Sequence, residues 1–474
     1  MKKYIIISMI ALGALTGCKD FLEEAPVLDQ SDEMTLSTIE GLNSATAAAY
    51  GVLADAGWYG ADQILMNEMK TSNGKKNINN KWDSGRLNDE YNLNYTENNT
   101  VGCWVDAYYV ISAVNNVIDA LPNVEGDEAL KNNLKAECLF LRALSHFDLV
   151  RTYAMPYEYK NGAQDGVPVV LHTDPNARPE RNTVAEVYTQ ILEDLKEADK
   201  LLAADYQRPG TDDRAYISKE AVWALIARAS LYCGQNQQAA DYAGKVIASS
   251  KFNLWSKADL KDGKCYAEDT HKGGEVIFEV YGLKANEFDP YRDSVCYMTT
   301  PGGYGDGAVS DDLMNLYSED DVRSTLFLED SGVYWTAKYQ GKGFSNPDVN
   351  NVIIFRLSEM YLIRAEAVTK GATGANALED LNKIATTRGA AAYNNAGIEA
   401  ILAERQKELA WEGHLWYDLG RFGKDMTRVD FQGAAASQNV RSWNDATDYY
   451  KWAMPIPAHE YRTNENLTHN PGWN

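Results

Sequence analysis

Two sets of residues in this sequence have types and spacings that could do chemistry. The first set mixes aromatic rings with polar side chains, a combination suited to sugars, whose C–H faces stack on rings while their hydroxyls bond polar groups. It falls in two stretches, the first with Trp82, Arg86, Tyr91 and Tyr95 and the second with Tyr304, Asp306, Trp335 and Lys338. We predict that both stretches contact ligand, with Trp82 and Trp335 as stacking platforms.

The second set is three carboxylates, Glu404, Glu408 and Glu412, which repeat every four residues and so share one helix face. Such an alignment could supply metal ligands or an acid/base pair. Arginines and lysines are available nearby in the sequence, at Arg364, Arg405, Lys407 and Arg421. Structural ion pairing between helices is therefore the favoured interpretation.

Other catalytic and cofactor patterns are not found in the sequence. The glycine-rich stretch Pro301–Gly307 lacks the Lys-Ser/Thr of a phosphate loop and is interpreted as a turn. The six histidines show no metal-binding spacing, and neither a nucleophile elbow nor a Ser-His-Asp arrangement is recognisable. The sequence thus predicts no catalytic residue, no metal and no cofactor.

The N-terminus predicts a membrane anchor. Lys2 and Lys3 precede an apolar run, Tyr4–Leu15, that is too short to span a bilayer as a mature helix. The run ends in Leu-Thr-Gly-Cys, which looks like a bacterial lipobox with Cys18 as lipid acceptor. We predict that residues 1–17 are a signal peptide cleaved before Cys18, and that acyl chains on Cys18 hold a water-soluble body on the membrane.

Composition limits the partners of that body. A formal net charge of -23 disfavours nucleic acid and anionic lipid, because phosphate binding needs a basic patch. The chain has 11 Trp and 29 Tyr against 11 Phe, so most of its rings carry a polar group. Five cysteines follow Cys18; Cys138 and Cys233 are interpreted as core residues, and a bridge between Cys265 and Cys296 is left open.

The dominant hydrophobic period along the chain is helical. Helices are predicted over Leu130–Ala154, Val184–Leu202, Lys219–Tyr232, Gln237–Ser249, Val352–Val368, Ala375–Ile384 and Ala400–Trp411. Short connections such as 234–236 and 371–374 indicate antiparallel helix pairs, and their small and aromatic residues have tetratricopeptide-like spacing. The predicted fold class is mostly α, a tetratricopeptide-like helical hairpin scaffold with large irregular ligand-binding loops.

Residues 18–474 are predicted to form one domain. Its helical scaffold lies mainly in 103–250 and 352–420, and its loop-rich ligand face mainly in 58–102 and 252–350. Loops of this length in a compact protein are usually functional or disordered, and their Trp and Tyr content argues against disorder.

Four blocks of the sequence stand out together. They are Glu137–Phe147 leading to Gly166–Pro168, then Arg356–Ala367, Glu404–Gly413, and Pro455–Pro457 closing with Asn470–Trp473. In this order they resemble the RagB/SusD family of outer-membrane nutrient-binding lipoproteins of Bacteroidetes. The resemblance covers nearly the whole chain. It departs at Ala385 and Leu415, where the family commonly has arginine, and at His469, where it commonly has glutamine.

This resemblance implies a cell-surface protein of the outer membrane, lipid-anchored and facing the exterior. Such a protein captures oligosaccharide or polysaccharide and delivers it to a SusC-like TonB-dependent transporter, without catalysis. Two alternatives stay open, a peptide-binding member of the same family and, less favoured, a surface glycoside hydrolase. A peptide site would need apolar pockets with charged anchors, whereas these loops are richer in Trp, Tyr and Asn, which favours glycan.

Overall fold

A computed structural model describes most of the chain. The described residues are 35–77, 85–208, 214–267, 274–282, 294–341, 350–431, 440–443 and 449–473. The predicted signal peptide and Cys18 lie outside them, and so does Trp82.

The described chain is mostly helical, as predicted. Its first eight α-helices are α1 (Ile39–Val52), α2 (Asp62–Met69), α3 (Asn88–Asn92), α4 (Trp104–Ala120), α5 (Glu128–Tyr153), α6 (Val184–Leu201), α7 (Lys219–Tyr232) and α8 (Asn236–Ala248). The others are α9 (Lys257–Leu260), α10 (Val295–Met298), α11 (Asp311–Met314), α12 (Leu357–Thr369), α13 (Ala377–Arg388), α14 (Ile398–Leu409), α15 (Leu415–Phe422) and α16 (Ala458–Thr463).

The long helices begin and end at recognisable caps. Helix α5 begins where the Asp127 side chain accepts a hydrogen bond from the backbone N–H of Leu130 at 3.0 Å. Helix α6 begins with a capping box between Thr183 and Glu186. Helix α13 ends at Gly389, whose φ of 91° favours glycine.

Consecutive helices pair into hairpins that pack side by side. Helix α5 packs on α6, α7 on α8, and α12 on α13, while α8 also packs on α12 and so joins two hairpins. The α7–α8 turn contains Gly234 with φ 74°, and the α12–α13 connection contains Gly371 with φ 105°. Cys138 and Cys233 are buried in this scaffold, as predicted.

The predicted helix over Val352–Val368 is wrong in its first turn. Residues Val352–Arg356 form a strand, and α12 begins only at Leu357. The strand pairs antiparallel with Val276–Val280, and every residue in both strands is buried. A short run of Val, Ile and Phe fits a buried strand as well as a buried helix, so periodicity alone could not separate them.

Eight short strands are described: β1 (Gly74–Lys76), β2 (Val276–Val280), β3 (Gly307–Val309), β4 (Phe327–Asp330), β5 (Val333–Thr336), β6 (Val352–Arg356), β7 (Met426–Thr427) and β8 (Val440–Arg441). Four of them form one sheet in the order β1-β3-β5-β4. Strand β1 belongs to the first loop-rich region and the other three belong to the second. The sheet therefore joins the two loop-rich regions through strands β1 and β3, which are more than 200 residues apart in the sequence.

In the described part of the chain, the helices are all too short or too polar to cross a membrane.

Candidate ligand-binding surface

The four-stranded sheet positions the aromatic residues of both loop-rich regions. Strand β1 runs antiparallel to β3, with Gly74 opposite Val309 and Lys76 opposite Gly307. Beyond the end of β1, Asn77 continues this pairing, because its backbone N–H donates to the Asp306 carbonyl at 3.2 Å and its side-chain amide donates to the Gly305 carbonyl at 3.2 Å. The segment before β3 is thereby held against Asn77 at the end of β1.

Next to this junction, three side chains form what we call the tyrosine surface: Arg86, Tyr297 and Tyr304. The Arg86 guanidinium lies over the Tyr304 ring, 4.6 Å from its centroid. Tyr297 meets the same ring edge to face, with centroids 4.9 Å apart and planes at 86°. Both tyrosines are half-buried and Arg86 is exposed, so rings and a cation share one accessible surface.

The tyrosine surface rests on Trp335. A Cβ atom on Gly305 would lie 3.1 Å from the Trp335 ring, and Gly305 has a φ of 59°. Glycine is therefore favoured at this position, both for the backbone conformation and for the close approach of the indole. The backbone N–H of Tyr304 donates to the Tyr297 carbonyl at 2.8 Å, which holds the backbones of these two residues side by side.

Burial contradicts the prediction that Trp335 is a stacking platform. Its side chain lies on β5 and is only 6% exposed, with its ring turned to the Gly305 backbone rather than to solvent. Asp306 is also buried, and its carbonyl takes part in the β1 junction. Both residues support the tyrosine surface from beneath. The other predicted platform, Trp82, lies outside the described residues.

Burial also contradicts the ligand contact predicted for Lys338. Its side chain is 1% exposed, and its ammonium lies 2.5 Å from Glu412 and 3.2 Å from the Glu408 carbonyl. Burial lowers the pKa of Lys338, although the nearby Glu412 carboxylate opposes this. Lys338 is thus an interior cation.

Tyr91 and Tyr95 are interior residues as well, contrary to the prediction. The Tyr91 ring packs on Phe431 with centroids 5.1 Å apart, and the Arg428 guanidinium lies 4.9 Å from its centroid. The Tyr95 hydroxyl donates to the Lys451 carbonyl, and the Tyr95 ring packs near Trp473. Only Arg86 and Tyr304 of the described predicted residues therefore reach a surface where ligand could bind.

The three carboxylates of α14 and the loop after it belong to a buried set of ion pairs that we call the interior charge cluster. Its members are Glu275, Asp321, Arg323, Lys338, Arg356, Arg388, Glu404, Glu408 and Glu412. The structural interpretation of the carboxylates is confirmed. Most of the partners are not the cations nearest in sequence. Of the four cations available nearby in the sequence, Lys407 alone pairs with one of the three carboxylates, Glu404, which also pairs with Arg323. Arg405 and Arg421 pair with Asp418 instead, and Arg364 pairs with Asp380.

Glu408 is the centre of the interior charge cluster. Its carboxylate oxygens lie 2.6 Å from a guanidinium nitrogen of Arg356, 2.8 Å from one of Arg388 and 3.0 Å from one of Arg323. Burial alone would raise its pKa, but the three guanidiniums outweigh burial and hold the pKa of Glu408 well below its usual range. A buried carboxylate that is held ionised in this way is poorly placed to exchange protons with a substrate, so Glu408 is poorly placed for acid/base catalysis.

Sequence reasoning missed Tyr297. It lies on α10, inside the second loop-rich region, so its residue type and region fitted the predicted mixture. What the sequence could not show was that the chain folds back between 297 and 304 and brings the two rings together.

Comparisons with known proteins agree with the fold. Residues 20–231 match a SusD-like family described as "Starch-binding associating with outer membrane", and residues 330–473 match the SusD family. A SusD superfamily protein from Bacteroides vulgatus has a similar crystal structure, at 30% identity and a TM-score of 0.81 over 92% of this chain and 99% of that one.

Two further proteins resemble the chain over nearly its full length. A SusD-like protein of Formosa agariphila is 25% identical over 100% of both chains. The surface glycan-binding protein A of Bacteroides thetaiotaomicron, solved in complex with laminarihexaose, has a TM-score of 0.73 at 20% identity, covering 91% of this chain and 99% of that one. The second likeness concerns the fold alone.

Proposed function

The chain belongs to the SusD family, and from that premise we propose that it binds glycan at the tyrosine surface without catalysing a reaction. The observation that carries the proposal is the stacking of Arg86 on Tyr304 beside Tyr297. Half-exposed rings offer apolar faces to sugar C–H groups, and a guanidinium next to them offers donors to sugar hydroxyls.

The rigidity of the support favours binding by a preformed site. Trp335 lies beneath Gly305, and Asn77 donates twice to the Gly305–Asp306 backbone. Side chains that are already held in place lose little entropy when a ligand arrives. A weakly interacting ligand such as a sugar chain gains most from this preorganisation.

The proposal of a binding protein also rests on where the carboxylates lie. The regularly spaced Glu404, Glu408 and Glu412 are all engaged with buried cations. Glycosidases need two carboxyl groups facing each other across an open cleft, roughly 5 to 10 Å apart. Relatives of this family carry names of binding proteins, which supports the same conclusion.

We further propose that acylated Cys18 anchors the protein to the outer membrane, facing the exterior, where it passes glycan to a SusC-like TonB-dependent transporter. The description of the matched family as associating with the outer membrane supports this location. Because the anchored protein and the transporter share one membrane, each is present at a high effective concentration near the other. Their contact therefore need not be strong in solution.

Native gels containing single polysaccharides test the binding proposal. The protein is run in starch, laminarin, xylan, mannan, pectin and chondroitin sulfate, and each mixture is assayed for new reducing ends. We expect retardation by at least one polysaccharide without new reducing ends, and weaker retardation for Tyr304→Ala and Tyr297→Ala. Tyr242→Ala, which removes a half-buried ring from the helical scaffold, is the matched control.

The outcomes separate the alternatives. New reducing ends would show a glycoside hydrolase and overturn the binding proposal. Retardation that is as strong in both tyrosine variants as in the wild type would place the glycan elsewhere, and no retardation in any gel would favour a peptide cargo.

The anchor has its own test. Cys18→Ala should release the protein from the membrane fraction while its thermal unfolding in detergent stays unchanged. If the variant still sedimented with outer membrane after a high-salt wash, the lipid anchor would be ruled out.

A further inference from the structure

A groove separate from the tyrosine surface lies between helix α4, the segment 168–179 and helix α16. Its volume is about 520 Å³. Small-molecule sites typically measure roughly 300–1,000 Å³, so the groove has the size of a site for a ligand of a few sugar rings.

The groove has one apolar wall and one polar wall. Helix α4 and three prolines form the apolar wall, which includes Val105, Tyr108 and Pro168. Helix α16 forms the polar wall with His459, Glu460 and Thr463. A sugar ring presents an apolar face and a rim of hydroxyls, so this division of the walls matches its chemistry.

Hydrogen bonds hold the apolar wall in place. The Tyr108 hydroxyl donates to the Pro168 carbonyl at 2.9 Å, and the Asn115 amide donates to the Val170 carbonyl at 3.1 Å. The backbone N–H of Val170 also donates to the buried His146 ring at 3.3 Å. Prolines and fixed rings have little freedom to lose, which makes the groove a preformed site.

The two walls are also bonded to each other. The Asn464 amide, just after α16, donates to the Pro179 carbonyl at 2.8 Å, and the Asn466 amide donates to the Arg178 carbonyl at 2.6 Å. The groove width is therefore set by contacts within this chain.

Charged groups line the mouth of the groove. Arg178 donates through one guanidinium nitrogen to the Ala177 carbonyl at 2.8 Å and is otherwise exposed. His459 lies 2.8 Å from Glu460, and its side chain is 58% exposed. These groups supply donors and an acceptor within one short stretch of surface.

An exposed aromatic ring extends the apolar wall into solvent. Tyr109 is 62% exposed and Val105 is 59% exposed. They are four residues apart on α4 and so lie on one helix face. Val105 lines the groove, which places Tyr109 next to its mouth.

From these observations we infer that the groove between α4, segment 168–179 and α16 is a second carbohydrate-binding site, distinct from the tyrosine surface. Tyr109 stacks on one sugar ring at the mouth, and the polar wall binds the hydroxyls of the rings inside. Two sites on one protein increase the retention of long polymers over short oligosaccharides, because the second contact becomes intramolecular.

A peptide is the other ligand that such a groove could hold, but the walls fit it less well. A peptide that binds as an added strand needs an exposed sheet edge, and a peptide that binds as a helix needs a row of large aliphatic side chains in the groove. Helices and a proline-containing segment line this groove, and charged groups interrupt its apolar surface.

The number of bound sugars tests the inference. Native mass spectrometry of the full chain in detergent is run with maltohexaose, laminarihexaose, xylohexaose, mannohexaose and a galacturonate hexamer. The variants are Tyr304→Ala, which weakens the tyrosine surface, and Thr463→Trp, which fills the groove from its polar wall. Val429→Ala, an 84% exposed apolar position outside the groove lining, is the control.

We expect two bound equivalents of at least one hexasaccharide for the wild type and for Val429→Ala. Tyr304→Ala should weaken one equivalent about fivefold and leave the other unchanged, Thr463→Trp should remove one equivalent, and the double variant should keep only the weakened equivalent. Tyr109→Ala should weaken the groove equivalent about fivefold, which corresponds to the loss of one ring contact of ~1 kcal/mol.

The pattern of loss distinguishes this inference from the proposed function. A single equivalent that is weakened only in Tyr304→Ala overturns the groove and leaves the tyrosine surface. A single equivalent lost only in Thr463→Trp supports the groove and removes the tyrosine surface. No bound sugar in any variant overturns both. A groove that takes peptides from a tryptic digest of casein, and takes no sugar, also overturns the inference.

Discussion

The tyrosine surface and the interior charge cluster both contain arginine, and their surroundings are opposite. Arg86 lies exposed over Tyr304, whereas Arg356 is fully enclosed and bonded to Glu408 and Glu412. The two regions are neighbours in the fold. Trp335 on β5 lies beneath the tyrosine surface, and Lys338, three residues later, belongs to the interior charge cluster. Residue type alone therefore does not assign a role, and burial decides whether a cation meets ligand or a carboxylate.

The comparison predicts that changes in the two regions have different consequences. Changes in the interior charge cluster should lower the free energy of unfolding, and changes in the tyrosine surface should weaken binding.

The largest effect is expected for Arg356→Ala. Removing the guanidinium leaves Glu408 and Glu412 short of a buried partner, and breaking a buried ion pair costs about 3–5 kcal/mol. Urea unfolding followed by circular dichroism measures the loss. Arg364→Ala is the matched control, because its pair with Asp380 is partly exposed and should contribute at most about 1 kcal/mol. Equal losses in the two variants would contradict the comparison.

An acid-dependent loss of stability is expected from His146 in the helical scaffold. Burial, followed by the charge of Arg142, lowers the pKa of His146 to about 3 from an ordinary value near 6.5. Between these values the unfolded chain binds a proton that the folded chain does not, so the free energy of unfolding falls as the pH falls. The slope from this group is about 1.4 kcal/mol per pH unit.

His146→Gln measures this contribution by difference. Unfolding is followed from pH 7 to pH 4 for both proteins, and the wild type should lose more stability than the variant. Parallel curves would show that His146 titrates normally in the folded protein. Binding at the tyrosine surface should be unchanged at neutral pH, since His146 is buried and is not one of the three residues of that surface.

A moderate effect, on binding alone, is expected for Tyr304→Ala. The variant is run with the polysaccharide that retards the wild type. Loss of one ring contact should weaken binding to this polysaccharide about fivefold, which corresponds to ~1 kcal/mol. The midpoint of urea unfolding should move little, because the ring is half-exposed. A large drop in stability with unchanged retention would show that Tyr304 is a packing residue.

The smallest effect is expected for Tyr95→Phe. The change removes the hydroxyl that donates to the Lys451 carbonyl, a hydrogen bond worth about 1 kcal/mol of stability. Retention in polysaccharide gels should be unchanged because the ring is buried. Weaker retention by this variant would restore Tyr95 to the ligand contacts and would contradict the rule that burial decides which of the predicted residues meet ligand.

Much of the scaffold could be predicted from local patterns. Lys219–Tyr232 was predicted with its observed ends, and α5, α6 and α8 within two residues, because an apolar stripe at the helical period reports which face is buried. The strand Val352–Arg356 could not be predicted, since its partner lies at Val276–Val280 and only their pairing selects strand over helix.

The binding surface was predicted less well than the scaffold. The sequence selected regions rich in Trp, Tyr and Asn, and Arg86 and Tyr304 of those regions do meet. It could not separate them from Lys338, Tyr91 and Tyr95, which share their composition and are buried.

The sequence by itself determined the properties that depend on neighbours along the chain. These are the helical periodicity, the caps and turns, the apolar N-terminal run with its terminal cysteine, and the four blocks that mark the family. Tertiary structure alone decided which side chains face solvent, because exposure depends on segments that are hundreds of residues apart. Arg86 meets Tyr304 next to the junction where strand β1 pairs with β3, and no local sequence pattern encodes that pairing.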